Sequence, residues 1–192
     1  WGLLDIGTSK IAAAILAGDG PDVRVAGVGL QRSKGMKAGV LTDLDAAACA
    51  GVAECLRGEG LHAHAMPLDV TSLDAVRALA ARVGDELGDV SILVNNAGLL
   101  VRRGIDDPEA DTIVRRVMDV NLHGAFAMVR ALLPPLRRTK GCVVNVASGA
   151  AFAAQAGCAG YSASKAALHM LTCTLAVDLG ADGVRVNAVA PG

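Results

Sequence analysis

Tyr161 and Lys165 are the two residues of this chain whose types and spacing most directly suggest chemistry. Tyr161 is the only tyrosine, and Lys165 follows it at i+4, so on a helix both side chains lie on one face. A phenol with an ordinary pKa of about 10 is a poor acid or base at neutral pH. A nearby ammonium group favours the phenolate, which predicts a general acid–base pair. The alternative is an ordinary surface pair on a helix.

Two polar residues upstream extend this candidate site. Ser148 ends an apolar stretch and falls on a predicted loop, where its hydroxyl could hold a substrate oxygen. Asn121 lies within a long helical stretch, from which it could bridge to Lys165 through a water molecule. With the tyrosine and lysine, these residues predict proton transfer at a substrate oxygen.

An alternation of strands and helices from about residue 43 onward must position these residues. Strands separated by a helix run parallel, so the pattern predicts a three-layer α/β fold with a doubly wound parallel sheet. Ser72 is the predicted N-cap of one helix, and Pro134-Pro135 is expected to end another. The predicted strands cover 41–45, 62–69, 91–95, 141–147 and 183–189, and the predicted helices cover 46–57, 73–87, 111–133 and 161–179.

The first 40 residues follow a different pattern. Three short strands, at 1–6, 11–17 and 23–29, are joined by tight turns, which predicts an antiparallel β-meander. We therefore expect two parts, an N-terminal segment over 1–42 and a partial α/β domain over 43–192.

Composition narrows the class of protein. The chain has 192 residues, a net charge of −1 and 53% hydrophobic residues, which excludes intrinsic disorder. Its 18 basic and 19 acidic residues form no basic run, so neither a nucleic-acid partner nor a membrane-surface role is expected. Five cysteines without a C-x-x-C pair are typical of a reducing, cytoplasmic location. Four scattered histidines predict no metal site.

From about residue 41 to 192 the chain resembles the short-chain dehydrogenase/reductase family. The resemblance implies a Rossmann-like fold, a nicotinamide cofactor, a small carbonyl or secondary alcohol as substrate, and assembly as a homodimer or homotetramer. The motifs that carry it occur in the family's order: Asp69 in PLDVT, Asn95-Asn96-Ala97-Gly98, Asn121 in MDVNLHG, Ser148 in NVASG, YSASK from Tyr161 to Lys165, and Pro191-Gly192 after NAVA.

The resemblance also implies roles for single residues. Tyr161 would be the general acid/base, Ser148 would polarise the reacting carbonyl, and Asn121 would support a proton relay. Lys165 would contact both the tyrosine and the nicotinamide ribose. The cofactor-binding set implied in this way comprises Asp43, Asp69, Val70, Asn95, Ala97, Gly98, Tyr161, Lys165, Pro191 and Gly192.

Asp43 bears on the choice of cofactor. A carboxylate at the tip of the second strand of such a fold accepts hydrogen bonds from a ribose and repels a 2′-phosphate. This favours NAD over NADP. The alternative is that Asp43 and Asp45 only cap the helix that begins near Ala46.

One family motif is missing from the sequence. The family opens with a strand and a T-G-x-x-x-G-x-G turn, whose backbone amides hold the pyrophosphate. The stretch 35–39 has only the first spacing of that turn and lacks the third glycine. The family pattern also continues beyond Pro191-Gly192, so the substrate is not readable from this sequence.

Residues 1–44 instead resemble the start of the actin-like cell-division ATPases (the FtsA family). The matching stretches are LDIGTSK and VAGVGLQRSKGMKAGVLTDLDAA. The resemblance implies that Asp5 faces a metal and that residues 7–10 contact an ATP phosphate. We infer a chimera, with divergence of both ends as the alternative. The competing functions are an ATP-binding or assembly fragment and a catalytically silent hybrid.

A chimera of this kind needs a replacement for the family's first strand, which lies at the centre of its sheet. Loss of that strand leaves two neighbouring strand edges unpaired. Leu3–Ile6 is apolar and ends in Gly7-Thr8-Ser9. We therefore expect Leu3–Ile6 to occupy the central position, with residues 7–10 imitating a phosphate turn.

Overall fold

A computed structural model describes residues 2–6, 11–17, 24–31 and 39–192 of the chain. The first three strands pair antiparallel in the order β1-β2-β3. The antiparallel meander is therefore confirmed over the described residues. Its strands are β1 (Gly2–Ile6), β2 (Ile11–Ala17) and β3 (Arg24–Gln31).

The prediction that Leu3–Ile6 fills the centre of the parallel sheet is wrong. Strand β1 lies at the edge of the three-stranded antiparallel sheet, and β2 is its hydrogen-bonded neighbour there. A parallel crossover takes about a dozen residues, whereas residues 7–10 are only long enough for consecutive strands to pair directly. The suggested phosphate turn at 7–10 lies outside the described residues.

The next two strands pair in parallel, and each is followed by a helix. The boundaries predicted for α2 are confirmed, and the Ser72 hydroxyl caps this helix by accepting a hydrogen bond from Ala75 N at 3.3 Å. Strand β5 is shorter than predicted, because Pro67 has no N–H with which to continue a ladder. The elements of this part are β4 (Gly39–Leu41), α1 (Ala46–Gly58), β5 (Ala63–Ala65) and α2 (Leu73–Leu87).

Three further parallel strands form a sheet in the order β6-β7-β8. The described strands thus form two parallel sheets, β4-β5 and β6-β7-β8, where the sequence predicted one incomplete doubly wound sheet. The elements are β6 (Ile92–Asn95), β7 (Cys142–Val146), α5 (Ala159–Gly180) and β8 (Arg185–Val189).

A long helical segment connects β6 to β7, and it does not end at Pro134-Pro135 as predicted. The segment consists of α3 (Ala110–Met118), a π-helical turn (Asp119–Gly124) and α4 (Ala125–Thr139). Leu132 and Leu136 lie one turn apart on the buried side of α4. Their burial holds the last turns helical despite the prolines, which lack the N–H that an interior helical residue donates.

The hydrophobic core lies between the β6-β7-β8 sheet and helices α2, α4 and α5. Val143 and Val144 are consecutive in β7 and both buried, as predicted for a strand covered on both faces. Strand β6 differs, because Ile92 and Val94 are exposed while Leu93 is buried. Among the described helices, none is long and apolar enough to cross a membrane.

Candidate functional site

Tyr161 and Lys165 lie in the first two turns of α5, as their spacing predicts. The Lys165 ammonium nitrogen is 5.9 Å from the centre of the Tyr161 ring and donates a 2.6 Å hydrogen bond to the Val146 carbonyl at the end of β7. Lys165 is only 3% exposed. The strand end therefore fixes a buried positive charge beside the phenol ring.

Burial also changes the acidity of Lys165. Loss of hydration disfavours the charged form, so the pKa of Lys165 is lowered from its ordinary value. A lysine with a lowered pKa, held beside a tyrosine at the end of a parallel strand, is a typical functional-site feature.

Ser148 occupies the loop that follows β7. Its hydroxyl oxygen accepts a 3.1 Å hydrogen bond from Ala150 N and so begins a short 3₁₀ turn, Gly149–Ala151. The Gly149 N–H donates to the Pro191 carbonyl at 2.8 Å. The Ser148 hydroxyl hydrogen is not used in the turn, so it is available to donate to a substrate oxygen.

Pro191 and Gly192 reach this loop because β7 and β8 are parallel neighbours. Beyond the last paired residues of the ladder, Ala147 N donates to Val189 O at 2.7 Å. A Cβ built on Gly149 would lie 3.5 Å from Gly192 Cα. The structure therefore brings Pro191-Gly192 against the Ser148 loop.

Asn121 is buried in the π-helical turn, and its side-chain amide is extensively hydrogen-bonded. The oxygen Oδ1 accepts from Leu99 N at 2.7 Å, while Nδ2 donates to Leu99 O at 3.0 Å and to Ser164 Oγ at 2.9 Å. Both amide hydrogens are thus in use. A water bridge from this side chain towards Lys165 would have to use the remaining lone pair of Oδ1.

Gly98 lies between the asparagine and the lysine. A Cβ at this position would be 3.4 Å from Lys165 Nζ and 3.7 Å from Asn121 Oδ1. Because glycine leaves that volume empty, a small cradle remains beside the ammonium group. Ala97, the preceding residue, is exposed at the same end of β6.

Asn95 lies at the end of β6, but its side chain points into the protein. Its Nδ2 donates to Asn145 Oδ1 at 2.9 Å and to the Ala125 carbonyl at 3.4 Å. Asn95 is buried. The amide therefore connects β6 to β7 and to the start of α4.

A cleft of about 370 Å³ opens where β5 ends. The Asp69 carboxylate on its wall accepts hydrogen bonds from both the Thr71 hydroxyl and the Thr71 N–H, which lower the pKa of Asp69. Val70, the next residue, packs against Gly124 of the π-helical turn. The cleft is lined by Leu44, Asp69, Thr71, Thr112, Arg115, Arg116, Asp119 and Val120.

Asp43 and Asp45 have different local roles. Asp45 caps α1 by accepting hydrogen bonds from the N–H groups of Ala47 and Ala48 at 2.9 and 3.1 Å. Asp43 accepts a 2.9 Å hydrogen bond from Asp45 N and is exposed. Helix capping, which the alternative interpretation gave to both residues, is thus the role of Asp45, whereas Asp43 supports the turn before the helix.

Two loops that border the site are tied to each other. Arg103 N donates to Gly157 O at 2.9 Å, and the Arg102 guanidinium contacts Gln155 Oε1 at 3.4 Å. Gly157 has a φ of +70°, which few other residues adopt. The loop after Gly98 is thereby held against the loop that leads to Tyr161.

Sequence reasoning missed two residues of this region, Ser164 and Gly124. Ser164 is fully buried on α5 and joins Asn121 to the Tyr161 carbonyl. A Cβ on Gly124 would come within 2.7 Å of Val70 Cγ2. The available signals were a serine between the tyrosine and lysine of YSASK and a glycine three residues after Asn121.

The site forms where the carboxyl ends of β6 and β7 approach the start of α5, and the segment after β5 reaches it through the contact between Val70 and Gly124. Gly98 lies beside both Lys165 and Asn121, and the Ser148 loop is fixed to Pro191 by a backbone hydrogen bond. Within the described ranges, no three histidine, cysteine or acidic side chains are grouped so that they could hold a metal ion. The arrangement is suited to moving a proton at a substrate oxygen.

A family model described as short chain dehydrogenase matches residues 26–192. The match includes most of β3 and all of β4 and extends upstream of residue 43, where we expected the domain to begin. Meso-2,3-butanediol dehydrogenase of Serratia marcescens is 38% identical over 129 residues, which cover 67% of this chain and 51% of that protein. The chain spans about half the length of the curated relatives it matches.

Two solved structures share the fold. Gluconate 5-dehydrogenase from Burkholderia cenocepacia J2315, in complex with NADP and tartrate, matches with a TM-score of 0.74 and 32% identity over 80% of this chain and 60% of that chain. A 7α-hydroxysteroid dehydrogenase complexed with NADH and 7-oxo glycochenodeoxycholic acid matches with a TM-score of 0.76 and 34% identity over 81% and 60%.

Proposed function

The chain belongs to the short-chain dehydrogenase family, and on this basis we propose that it is an oxidoreductase acting on a carbonyl or secondary alcohol of a small molecule. A nicotinamide dinucleotide, when bound, supplies or accepts the hydride. The observation that carries the proposal is the buried Lys165 ammonium, held 5.9 Å from the ring centre of Tyr161.

Three side chains have different roles at the substrate oxygen, those of Tyr161, Ser148 and Lys165. The Tyr161 hydroxyl donates a proton to that oxygen during reduction, and its phenolate accepts the proton from the substrate alcohol during oxidation. The Ser148 hydroxyl donates a hydrogen bond to the same oxygen and stabilises the charge that develops there. The Lys165 ammonium lies 5.9 Å from the centre of the Tyr161 ring and places a positive charge beside the group that exchanges the proton. Asn121 supports proton transfer from its place beside Gly98.

The described residues fit the two ends of a dinucleotide. The empty volume at Gly98 lies beside Lys165, the residue that would contact the ribose, and a Cβ there would come within 3.4 Å of Lys165 Nζ. The cleft at Asp69 suits an adenosine, with Val70 on the same turn. We extend the assignment to the remaining residues of the implied set, which are Asp43, Asn95, Ala97, Tyr161, Pro191 and Gly192.

We propose NAD as the preferred form of the cofactor. The exposed Asp43 carboxylate has one oxygen engaged by Asp45 N, which leaves the other free to accept from a ribose hydroxyl. Its negative charge would repel a 2′-phosphate. The two similar solved structures carry NADP in one case and NADH in the other, so the family accommodates both.

A homodimer or homotetramer is part of the proposal. Several large apolar side chains on the outer sides of α3, α4 and α5 are exposed, which is typical of a surface that packs against another copy. These side chains are Val114, Phe126, Met170 and Val177. A cytoplasmic location, expected from the cysteine usage, stays a prediction.

The competing interpretations stay predictions as well. An ATP-binding or assembly role depends on Asp5 and on residues 7–10, and the latter lie outside the described part of the chain. The chimera and the catalytically silent hybrid also stay predictions. The short-chain dehydrogenase family accounts for residues 26–192, which include every residue of the candidate site.

A fluorescence titration of the purified chain with NADH, with NADPH and Mg-ATP as comparators, tests the proposal first. Saturable binding that prefers NADH supports it. Binding of Mg-ATP alone would contradict it and would favour the ATPase interpretation. A chain that unfolds cooperatively but binds neither NADH, NADPH nor Mg-ATP would also contradict the proposal and would favour the catalytically silent hybrid.

Tyr161→Phe tests the assigned chemistry. We expect it to bind NADH as the wild type does and to lose carbonyl reduction, because the ring remains and only the proton donor is removed. Reductase activity that survives the substitution would refute the role of Tyr161.

A further inference from the structure

Helix α5 contains two buried hydroxyl groups in matching environments. Thr172 Oγ1 accepts a 2.9 Å hydrogen bond from Asn145 Nδ2 and donates to the Leu168 carbonyl at 2.7 Å. Ser164 Oγ accepts a 2.9 Å hydrogen bond from Asn121 Nδ2 and donates to the Tyr161 carbonyl at 2.8 Å. Each hydroxyl thus connects an asparagine side chain to the backbone of its own helix.

The two hydroxyls differ in what they connect. The partners of Thr172 belong to the core, since Asn145 is an interior residue of β7. The partners of Ser164 all belong to the candidate site. Through Asn121, which holds both Leu99 N and Leu99 O, Ser164 links the loop after β6 to the first turn of α5.

We propose that Ser164 is a positioning residue for Tyr161 and Lys165, an inference that rests on the proposed oxidoreductase function. Its side chain is fully buried and does not reach a substrate. It fixes the first turn of α5 to the π-helical turn at Asn121, so that the phenol keeps its position relative to Gly98 and the Ser148 loop. Catalytic geometry is sensitive to small displacements of this kind.

The Ser164 side chain is a direct hydrogen-bonded connection between the start of α5 and the π-helical turn. Without the Ser164 hydroxyl, one hydrogen of Asn121 Nδ2 loses its buried acceptor. The Asn121 amide would then rotate towards another acceptor, and its two hydrogen bonds with the Leu99 backbone would weaken. The hydrogen bond from Lys165 to the Val146 carbonyl at the end of β7 does not involve Asn121 or Leu99, so it would remain.

Ser164→Ala and Thr172→Val form a matched pair for the test. Each removes one buried hydroxyl from α5 and leaves one asparagine amide hydrogen without its acceptor. We expect S164A to lower kcat by about 10- to 100-fold with the KM for NADH changed less than about twofold. We expect T172V to change both constants by less than about twofold, although both variants lose stability. Equal losses of kcat in the two variants would overturn the proposal.

Ser164→Thr is the conservative variant, since it keeps the hydroxyl. Recovery of most of the wild-type kcat in S164T supports a role for the hydrogen bonds, and a kcat as low as that of S164A contradicts it. Ser164→Cys, which keeps the volume but bonds weakly, takes the place of S164A if the alanine variant does not fold.

A second readout is independent of turnover. Tyr161 is the only tyrosine, so a chain grown with ¹⁵N- and ¹³C-labelled tyrosine gives one set of NMR signals from this residue. We expect these signals to move or broaden in S164A and to stay in place in T172V. Unchanged signals in S164A would overturn the positioning role even in a chain without activity. If the wild type has no reductase activity but the Tyr161 signals still move in S164A, only the proposed function is refuted.

Discussion

Asn95 and Asn145 stand directly opposite each other on β6 and β7, and a 2.9 Å hydrogen bond from Asn95 Nδ2 to Asn145 Oδ1 joins their side chains. Asn145 Nδ2 continues the chain of bonds to the Thr172 hydroxyl on α5. All three residues are buried. Asn95, which the family resemblance assigns to the cofactor cleft, thus also connects the end of β6 to the core through hydrogen bonds.

Asn145→Ala should destabilise the fold. It leaves one hydrogen of Asn95 Nδ2 without the Asn145 Oδ1 acceptor and the Thr172 oxygen without the Asn145 Nδ2 donor, and a buried polar group that loses its partner costs about 1–3 kcal/mol. We expect the free energy of unfolding, measured with urea, to fall by at least about 1–3 kcal/mol. Asn187→Ala, at an exposed position on neighbouring β8, is the control and should stay within about 0.5 kcal/mol of wild type. Equal effects at the two positions would contradict this account.

Gly124→Ala should disturb the turn at Val70. The new Cβ would lie 2.7 Å from Val70 Cγ2 and 3.0 Å from Val70 Cβ, so one of the two segments must shift, at a cost of about 1–3 kcal/mol. We expect a lower melting temperature and weaker NADH binding. Gly84→Ala in α2 meets no atom within 4 Å and should stabilise the helix by up to about 1 kcal/mol. A melting temperature of G124A at or above that of wild type would refute the steric argument.

Lys165→Met should change the pH dependence of stability at alkaline pH. Burial lowers the pKa of Lys165 below its ordinary value of 10.5, so between the lowered value and 10.5 the unfolded chain binds more protons than the folded one. Stability conferred by this residue therefore increases as the pH rises through that window. We expect the difference in unfolding free energy between wild type and K165M to shift in favour of wild type over that range. A difference that stays constant with pH would show that burial does not lower the pKa of Lys165.

Asp43→Asn should weaken the preference for NADH over NADPH. The amide keeps an oxygen acceptor for Asp45 N but removes the negative charge. We expect the ratio of the two dissociation constants to change by about tenfold, which corresponds to about 1.4 kcal/mol. Asp45→Asn preserves the helix cap and is the matched control, since asparagine and aspartate cap about equally well. A preference that is the same in D43N and wild type would remove Asp43 from the ribose site.

Helix α2 and the YSASK segment show what local sequence determines. The Ser72 cap and the apolar periodicity of α2 are encoded within the helix itself, and its predicted bounds agree with the structure. Tyr161 and Lys165 share a helix face because a spacing of four residues is close to the 3.6 residues of one turn. Site features that depend on one local element were therefore accessible from sequence.

Features set by tertiary contacts were not accessible in the same way. Pro134-Pro135 predicts a helix end, but burial of Leu132 and Leu136 outweighs the local penalty. The inward orientation of Asn95 depends on Asn145, fifty residues away. The role of Ser164 depends on Asn121, and a serine inside a helix carries no local signal of such a partner.

The π-helical turn at Asp119–Gly124 keeps the buried residues on both sides of it facing the core. Buried residues at Val117, Asn121, Ala125 and Val129 repeat every four residues, a spacing that drifts by about 40° per step around a regular α-helix. The wider turn absorbs that drift. Deleting one residue from α4 ahead of Leu132 would rotate the residues beyond the deletion by about 100°, turning the Leu132 and Leu136 side of α4 out of the core. Related chains should therefore carry insertions and deletions in the flanking loops and keep the number of residues between Ala125 and Leu136 constant.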